Sequence, residues 1–538
     1  MLGNTYLSSK KKLLAVGLVT GLLVPYAVVI GVTQASAATT TLNIVSAEPT
    51  TGFDPAIAKT QASLRVMELI YDGLVDYDAA GVIVPGIAES WKSSNGGLTL
   101  TFKIRSNAKF SDGSAITPDD VVFSLERAAA SGTMKSAYAN MDSVNASGSS
   151  SVVIKLAKKD RTFMDTLAWI GNSGILSKKA VTGNASYFLV PKVTSGPWEL
   201  TSNIPQNRAK LEANEYYWKT GYPKIKTINY VYSSDRTANA SALEAGTQDM
   251  SFPMAPTDAI RLKAAGGFTY DLAKGPTELF WGFNTKISPF NDIRVRTALA
   301  YLVPRTEKQD VCWEGIGPVS YGNIIHSGPL AQAALPTYKV SRSVALKKAA
   351  DLLTKAGWVS SGGSEIRVAK NVDGVANGTK LSFKVPFEAN WQQSRCHTEM
   401  MSQFVKEAGV EALPQAFDGP TFWTEASKGS FGMHHGGNGY ATIDAQFLSG
   451  YTCNGGIVAL IAKWCNKEFD ALVTKALAAS STANAKQYYN AAERIMNKEL
   501  PLIMVGGQYN VVGFTTKLKG FEARFDSSNR GLIVATIS

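Results

Sequence analysis

The chain carries only four histidines and four cysteines in 538 residues, and neither set forms a metal signature. There is no HExxH and no CxxC, and the one Cys–His neighbour pair is Cys396 with His397, so the sequence gives no zinc site. GxSxG is missing too: Gly171-Asn172-Ser173-Gly174 has the wrong spacing for a nucleophile elbow. No GxxxxGK[ST] loop occurs, and no GxGxxG follows a strand. Paired acids such as Asp119-Asp120 fit a helix start, where they complement the dipole. Catalysis therefore has no residue-level support, and neither an enzyme nor a cofactor is expected. Beyond Lys10–Lys12 there is no run of three basic residues, so the net charge of +11 is dispersed. Nucleic-acid binding wants a stripe or patch, and none is present. With 45 % hydrophobic and 18 % charged residues the chain is not disordered. At about 150 residues per domain its length is three or four domains' worth.

The N-terminus looks like an export leader. Lys10, Lys11 and Lys12 precede the charge-free run Leu13 to Val32, and Ala35-Ser36-Ala37 supplies the small residues a signal peptidase reads. Gly17, Gly21, Pro25 and Gly31 weaken the run as a permanent anchor. A signal peptide over 1–37 is expected, with no cysteine after it for lipid attachment. Its removal takes three lysines from the charge excess. Export favours disulfides. Four cysteines allow three pairings; Cys453 and Cys465 flank a Gly-Gly turn, a natural local bridge worth about 3 kcal/mol. Cys312 with Cys396 follows by elimination.

Strands and helices interleave throughout, which argues for α/β. Leu42, Ile44 and Ser46 mark a strand, and Gln61 to Leu74 a helix. Leu98 to Ile104 alternates strictly and reads as a strand. Thr117 caps a helix opening at Pro118. Arg208 to Asn214 and Lys226 to Ser233 read as strands, and Val344 to Lys355 as a helix closed by Gly357. Asn466 caps another. Ser147–Ser151 and Ser360–Ser364 read as surface loops. In an extended segment the adjacent His434 and His435 point to opposite faces.

A pattern of blocks emerges from these elements. Phe53-Asp54-Pro55, Ile70 to Val75, Gly81 to Trp91, Lys109 to Gly113 and Asp119 to Leu125 follow in order. Later come Thr194 to Trp198, Leu211 to Asn214 with Tyr217-Trp218, Phe283-Asn284-Thr285, Pro289 to Leu299, and Trp464 to Asp470. This order resembles the extracellular solute-binding proteins of family 5, the peptide-, oligopeptide- and nickel-binding components of bacterial ABC importers. The resemblance implies a periplasmic-binding-protein-like α/β fold: two α/β lobes joined by a hinge, with an extra α/β domain inserted in the first. The first lobe would take 38–72, 190–285 and 508–538, the inserted domain 73–189, and the second lobe 286–507.

It further implies a pocket drawn from Glu48, Pro49 and Thr50, from Phe280 and Trp281, from Asn390 and Trp391, from Trp423, and from His434, His435, Asn438 and Asp444. Peptide binders of the family read Asp-x-x-Asp-Pro here, the first Asp pairing with the peptide ammonium. In this chain only Asp444 matches, as the second Asp. The C-terminal-carboxylate arginine of dipeptide binders also has no equivalent within Glu388–Trp391. These departures weigh against an ordinary free peptide and towards a sugar, an opine-like compound or another polar solute. The expected function is capture of a small-molecule or short-peptide solute by an exported, periplasmic or cell-surface monomer, and delivery to a permease with its ATPase. A metal chelate held by His434 or His435 is the alternative within the family. An exported hydrolase or an envelope solute sensor is the alternative outside it.

Overall fold

The computed structural model describes residues 40–538 except 58–59, 133, 136, 276, 323–329, 331–335, 361–364, 390, 440–442 and 455. The leader, the Ser360–Ser364 loop beyond Ser360, Asn390 and the Asn438 side chain lie outside the described residues.

Strand β1 (Thr41–Ser46) turns Leu42 and Ile44 into a core against helix α1 (Gln61–Ile70). Thr60 caps α1 by accepting from the Ser63 N–H. The helix ends four residues before the expected Leu74. Its last carbonyl, on Ile70, accepts from the Gly196 N–H at 2.9 Å, and the Asp72 N–H donates to Ser195 Oγ at 3.0 Å. A distant segment thus takes the groups that another helical turn would have used.

The inserted domain follows. Strands β2 (Ala88–Ser94), β3 (Thr99–Ile104), β4 (Met141–Ser147) and β5 (Ser151–Leu156) form a sheet in the order β2-β3-β5-β4. Helix α2 (Pro118–Ala130) packs near it, opened by a capping box between Thr117 and Asp120. The Ser147–Ser151 loop is the tight turn of the β4–β5 hairpin. Chain return gives β6 (Trp198–Ile204), β7 (Arg208–Ala213), β8 (Thr227–Tyr232), β9 (Met250–Met254) and β10 (Phe268–Ala273).

The chain then crosses into the second lobe through β11 (Thr277–Phe283). There follow α3 (Ile293–Leu302), α4 (Arg305–Trp313), α5 (Arg342–Lys355), β12 (Ser382–Glu388), α6 (Gln392–Lys406), β13 (Glu411–Phe417), α7 (Gly419–Lys428) and β14 (Met433–Gly439). Then come the short helix α8 (Ile443–Gln446), α9 (Lys467–Leu477), α10 (Thr482–Glu499) and β15 (Leu502–Gly507). Strand β16 (Asn510–Thr515) returns to the first lobe and completes a seven-stranded sheet ordered β10-β16-β9-β1-β8-β7-β6. β1 runs parallel to both β8 and β9. In the second lobe β11 is the middle of three strands, β14-β11-β15, and β12 pairs with β13 in parallel. Two disulfides close within that lobe: Cys312–Cys396 joins α4 to α6, and Cys453–Cys465 spans 12 residues.

Candidate functional site

The site is built around β11, whose two faces differ. With β14 opposite in the register Trp281↔His435 and Gly282↔His434, the adjacent histidines project from opposite faces. His434 lies among Phe280, Phe422 and Phe431, with ring centroids about 6 Å away. Burial holds its pKa down at about 4. The register needs Gly282, where an added Cβ would stand 2.5 Å from the imidazole.

His435 sits in a hydrogen-bonded relay on the other face. Trp313 Nε1–H donates to His397 Nε2 at 3.0 Å, so the neutral His397 ring carries its proton on Nδ1. That proton goes to His435 Nε2 at 2.8 Å, which places the His435 proton on Nδ1, donated to Ser394 Oγ at 2.7 Å. Burial, with the nearby Lys308, keeps both rings neutral well below the ordinary histidine range. Lys308 is itself buried, and desolvation followed by Arg305 pushes its ammonium down to about 7.

Trp391 stands in front of this relay. Half-buried, it leans on His435 at 5.3 Å between ring centroids and covers Gly437, where an added Cβ would meet its ring at 2.5 Å. Trp423, 38 % exposed, donates Nε1–H to Glu388 Oε2 at 3.2 Å. Glu388, Trp391 and Trp423 therefore gather at the end of β12. Across the chain, Glu48 and Pro49 are exposed in the loop after β1 and Thr50 is buried.

The structure buries several of the expected site residues. Phe280, Trp281, His434 and His435 are at most 1 % exposed. Trp281 and His435 back Trp391 on one face of the sheet, while Phe280 and His434 pack together on the other. His435 is engaged at both ring nitrogens, whereas both ring nitrogens of His434 have no hydrogen-bond partner among the described residues. Asp444 is also occupied: its carboxylate pairs with Arg161 and accepts from the Tyr489 hydroxyl. Arg161 comes from the inserted domain, and its N–H reaches the Leu477 carbonyl at 3.3 Å. These contacts tie the inserted domain to the second lobe. Sequence reasoning missed Arg161, Ser394, Trp313 and Lys308, which adjoin the site only through the fold. Among the described residues no group of three or more His, Cys, Asp or Glu side chains is placed to hold a metal ion, and no helix is long and apolar enough to cross a membrane.

Replacing Arg161 by methionine leaves Asp444 buried with only the tyrosine hydroxyl. Because the arginine is partly exposed, a cost of about 2 kcal/mol is expected rather than the larger one of a fully buried pair. Thermal melting and small-angle scattering check this: R161M should melt lower and have a larger radius of gyration. Equal values would show that the pair does not hold the lobes.

Two α/β lobes linked by strand crossings, with an insertion in the first, are the architecture of a periplasmic-binding-protein-like fold. The comparisons carry this to a family. The description "Bacterial extracellular solute-binding proteins, family 5 Middle" matches residues 82–457, and the chain belongs to that family. It is 24% identical over 494 residues to the di/tripeptide-binding protein 1 of Pseudomonas aeruginosa, covering 84% of this chain and 86% of that one. NikA from Brucella suis, solved in complex with Fe(III)-EDTA, superposes with a TM-score of 0.81 at 19% identity over 93% of this chain and 100% of that one. AgaA of Agrobacterium tumefaciens R10, solved with agropinic acid, gives 0.71 at 22% identity over 93% and 99%.

Proposed function

We propose that this protein is the substrate-binding component of an ABC importer, capturing a peptide-like or other small polar organic solute between two closing lobes and handing it to a membrane permease with its ATPase. It works as an exported monomer without catalysis, its leader removed after Ala37. The lobe bounds follow the sequence reading: 38–72, 190–285 and 508–538 for the first lobe, 73–189 for the insertion, and 286–507 for the second. The observation that carries the reading is a pair of lobes joined by strand crossings and bridged by the Arg161–Asp444 contact, the arrangement of a hinged clamp. Trp391 and Trp423 supply apolar area, and the loop of Glu48, Pro49 and Thr50, with Asn390 and Asn438, supplies polar ends. The solutes of the relatives named above, a di- or tripeptide, a metal chelate and an opine-type acid, support a small polar compound.

Thermal shift across short peptides, opine-type conjugates, sugars and metal chelates tests this. The right solute at a hundredfold excess over its Kd adds about 2.7 kcal/mol to stability. If well-folded protein responds to none of these classes, solute capture is wrong. For the solute found, Trp391→Ala should weaken binding about thirtyfold, as loss of an aromatic anchor does, measured by calorimetric titration. Unchanged affinity would remove Trp391 from the pocket.

A further inference from the structure

The second residue of β11 is a glutamate in an otherwise apolar strand, Thr277-Glu-Leu-Phe-Trp-Gly-Phe283. Glu278 sits just past the crossing between lobes, paired on one side with Gly507 and on the other with Asn438. It is 1 % exposed. One carboxylate oxygen accepts from the Tyr451 hydroxyl, and the Gln446 amide donates to that hydroxyl oxygen at 3.1 Å. The other carboxylate oxygen, Oε1, has no hydrogen-bond partner among the described residues, nor has Gln446 Oε1. Both side chains are buried, and the Tyr451 hydroxyl links them, accepting from Gln446 and donating to Glu278.

The charge around them is one-sided. Burial raises the Glu278 pKa well above the carboxylate range, and the buried Glu493 on α10 adds to the rise. No cation contributes to Glu278 in the other direction. A buried acceptor left unpaired costs about 1–3 kcal/mol, a cost that the N–H donors of a ligand would relieve. Location fits that use. Gln446 lies on the same short helix as Asp444, whose carboxylate meets Arg161 of the other lobe. The Arg161 contact therefore anchors the helix that carries one of the two oxygens.

We propose that Glu278 and Gln446 form a cation-recognising subsite, which takes a protonated amine or a guanidinium of the captured solute. This rests on the solute-capture reading and adds the chemical class. The group replaces no existing contact: its N–H donors fill Glu278 Oε1 and Gln446 Oε1, and its charge offsets the buried carboxylate.

The test uses the full mature chain, with Gly-Gly-Gly, agmatine and putrescine as cationic probes. N-acetyl-Gly-Gly-Gly, glucose and citrate are matched probes without the cationic group, all at constant ionic strength. Amine or guanidinium probes should raise the melting temperature of the wild type, and E278Q should bind the best of them at least thirtyfold more weakly. Unliganded E278Q should melt as high as the wild type or higher, since an uncompensated acid has gone; a purely structural glutamate would lower it. Should E278Q fold poorly, Gln446→Met carries the same binding comparison. The subsite is overturned, with solute capture intact, if only glucose, citrate or the acetylated peptide acts, or if both variants bind cationic probes like the wild type. If no probe of any class acts, both readings fall.

Discussion

Replacing Arg530 by methionine is expected to destabilise the first lobe by about 4–5 kcal/mol. Arg530 is buried near the end of the chain and forks onto the first lobe's opening helix. Its Nη2 pairs with Asp72 at 2.7 Å and its Nε with Asp76 at 2.8 Å. Its Nη1 donates to the Glu68 carbonyl at 2.8 Å and to the Tyr71 carbonyl at 3.3 Å. Methionine fills much of the volume but leaves Asp72, 1 % exposed, with the Trp218 indole N–H at 2.6 Å and Asp76 with Arg524 at 3.2 Å. The melting temperature should fall by about 8–10 °C, and Arg530→Lys should recover only part of it, because an ammonium cannot fork onto both acids and both carbonyls. A fall of 2 °C or less in R530M would mean that the cluster relaxes by admitting water.

The second large effect has the opposite sign. Lys308→Met is expected to stabilise the protein by about 4 kcal/mol at pH 7. Lys308 is 2 % exposed, and its pKa falls from 10.5 to about 7 through desolvation and then Arg305. The fold thus disfavours the ammonium. As pH drops from about 10.5 towards 7, the unfolded chain takes up its proton first, and stability falls with pH until both states are charged. The methionine variant lacks this penalty. Its advantage over the wild type should therefore be full near pH 7 and shrink towards pH 10, read as the gap between melting temperatures at the two values. A constant gap, or none, would show that Lys308 finds solvent or a counter-charge.

Local chemistry was legible in the sequence where neighbours in the chain decide it. The Thr117 cap with Pro118 and Asp120 needs only four consecutive residues, and Leu98–Ile104 needs only alternation; the structure has both, within a residue. The opposite orientation of His434 and His435 is likewise a property of any strand. What stood behind each face was not legible. Trp313, Ser394 and His397 reach His435 from helices that precede it in the chain, and no local pattern encodes that meeting. Asp444 shows the same limit: its place in the family pattern pointed to a solute, while its actual partner, Arg161, lies 283 residues away. The helix expected to reach Leu74 stops at Ile70 for the same reason, because Ser195 and Gly196 take its next hydrogen bonds. One signal was visible and passed over: a glutamate inside the apolar run of β11.

The place of β16 in the first sheet has a consequence for synthesis. It is the last of seven strands to be made, yet it lies inside the sheet, between β9 and β10. Until it arrives, both neighbours show unpaired backbone edges, which are templates for pairing with other chains. Arg530 comes later still. A nascent chain therefore cannot settle into a finished first lobe until nearly every residue has been added, and an incomplete product stays open to proteases. The fold proofreads its own length.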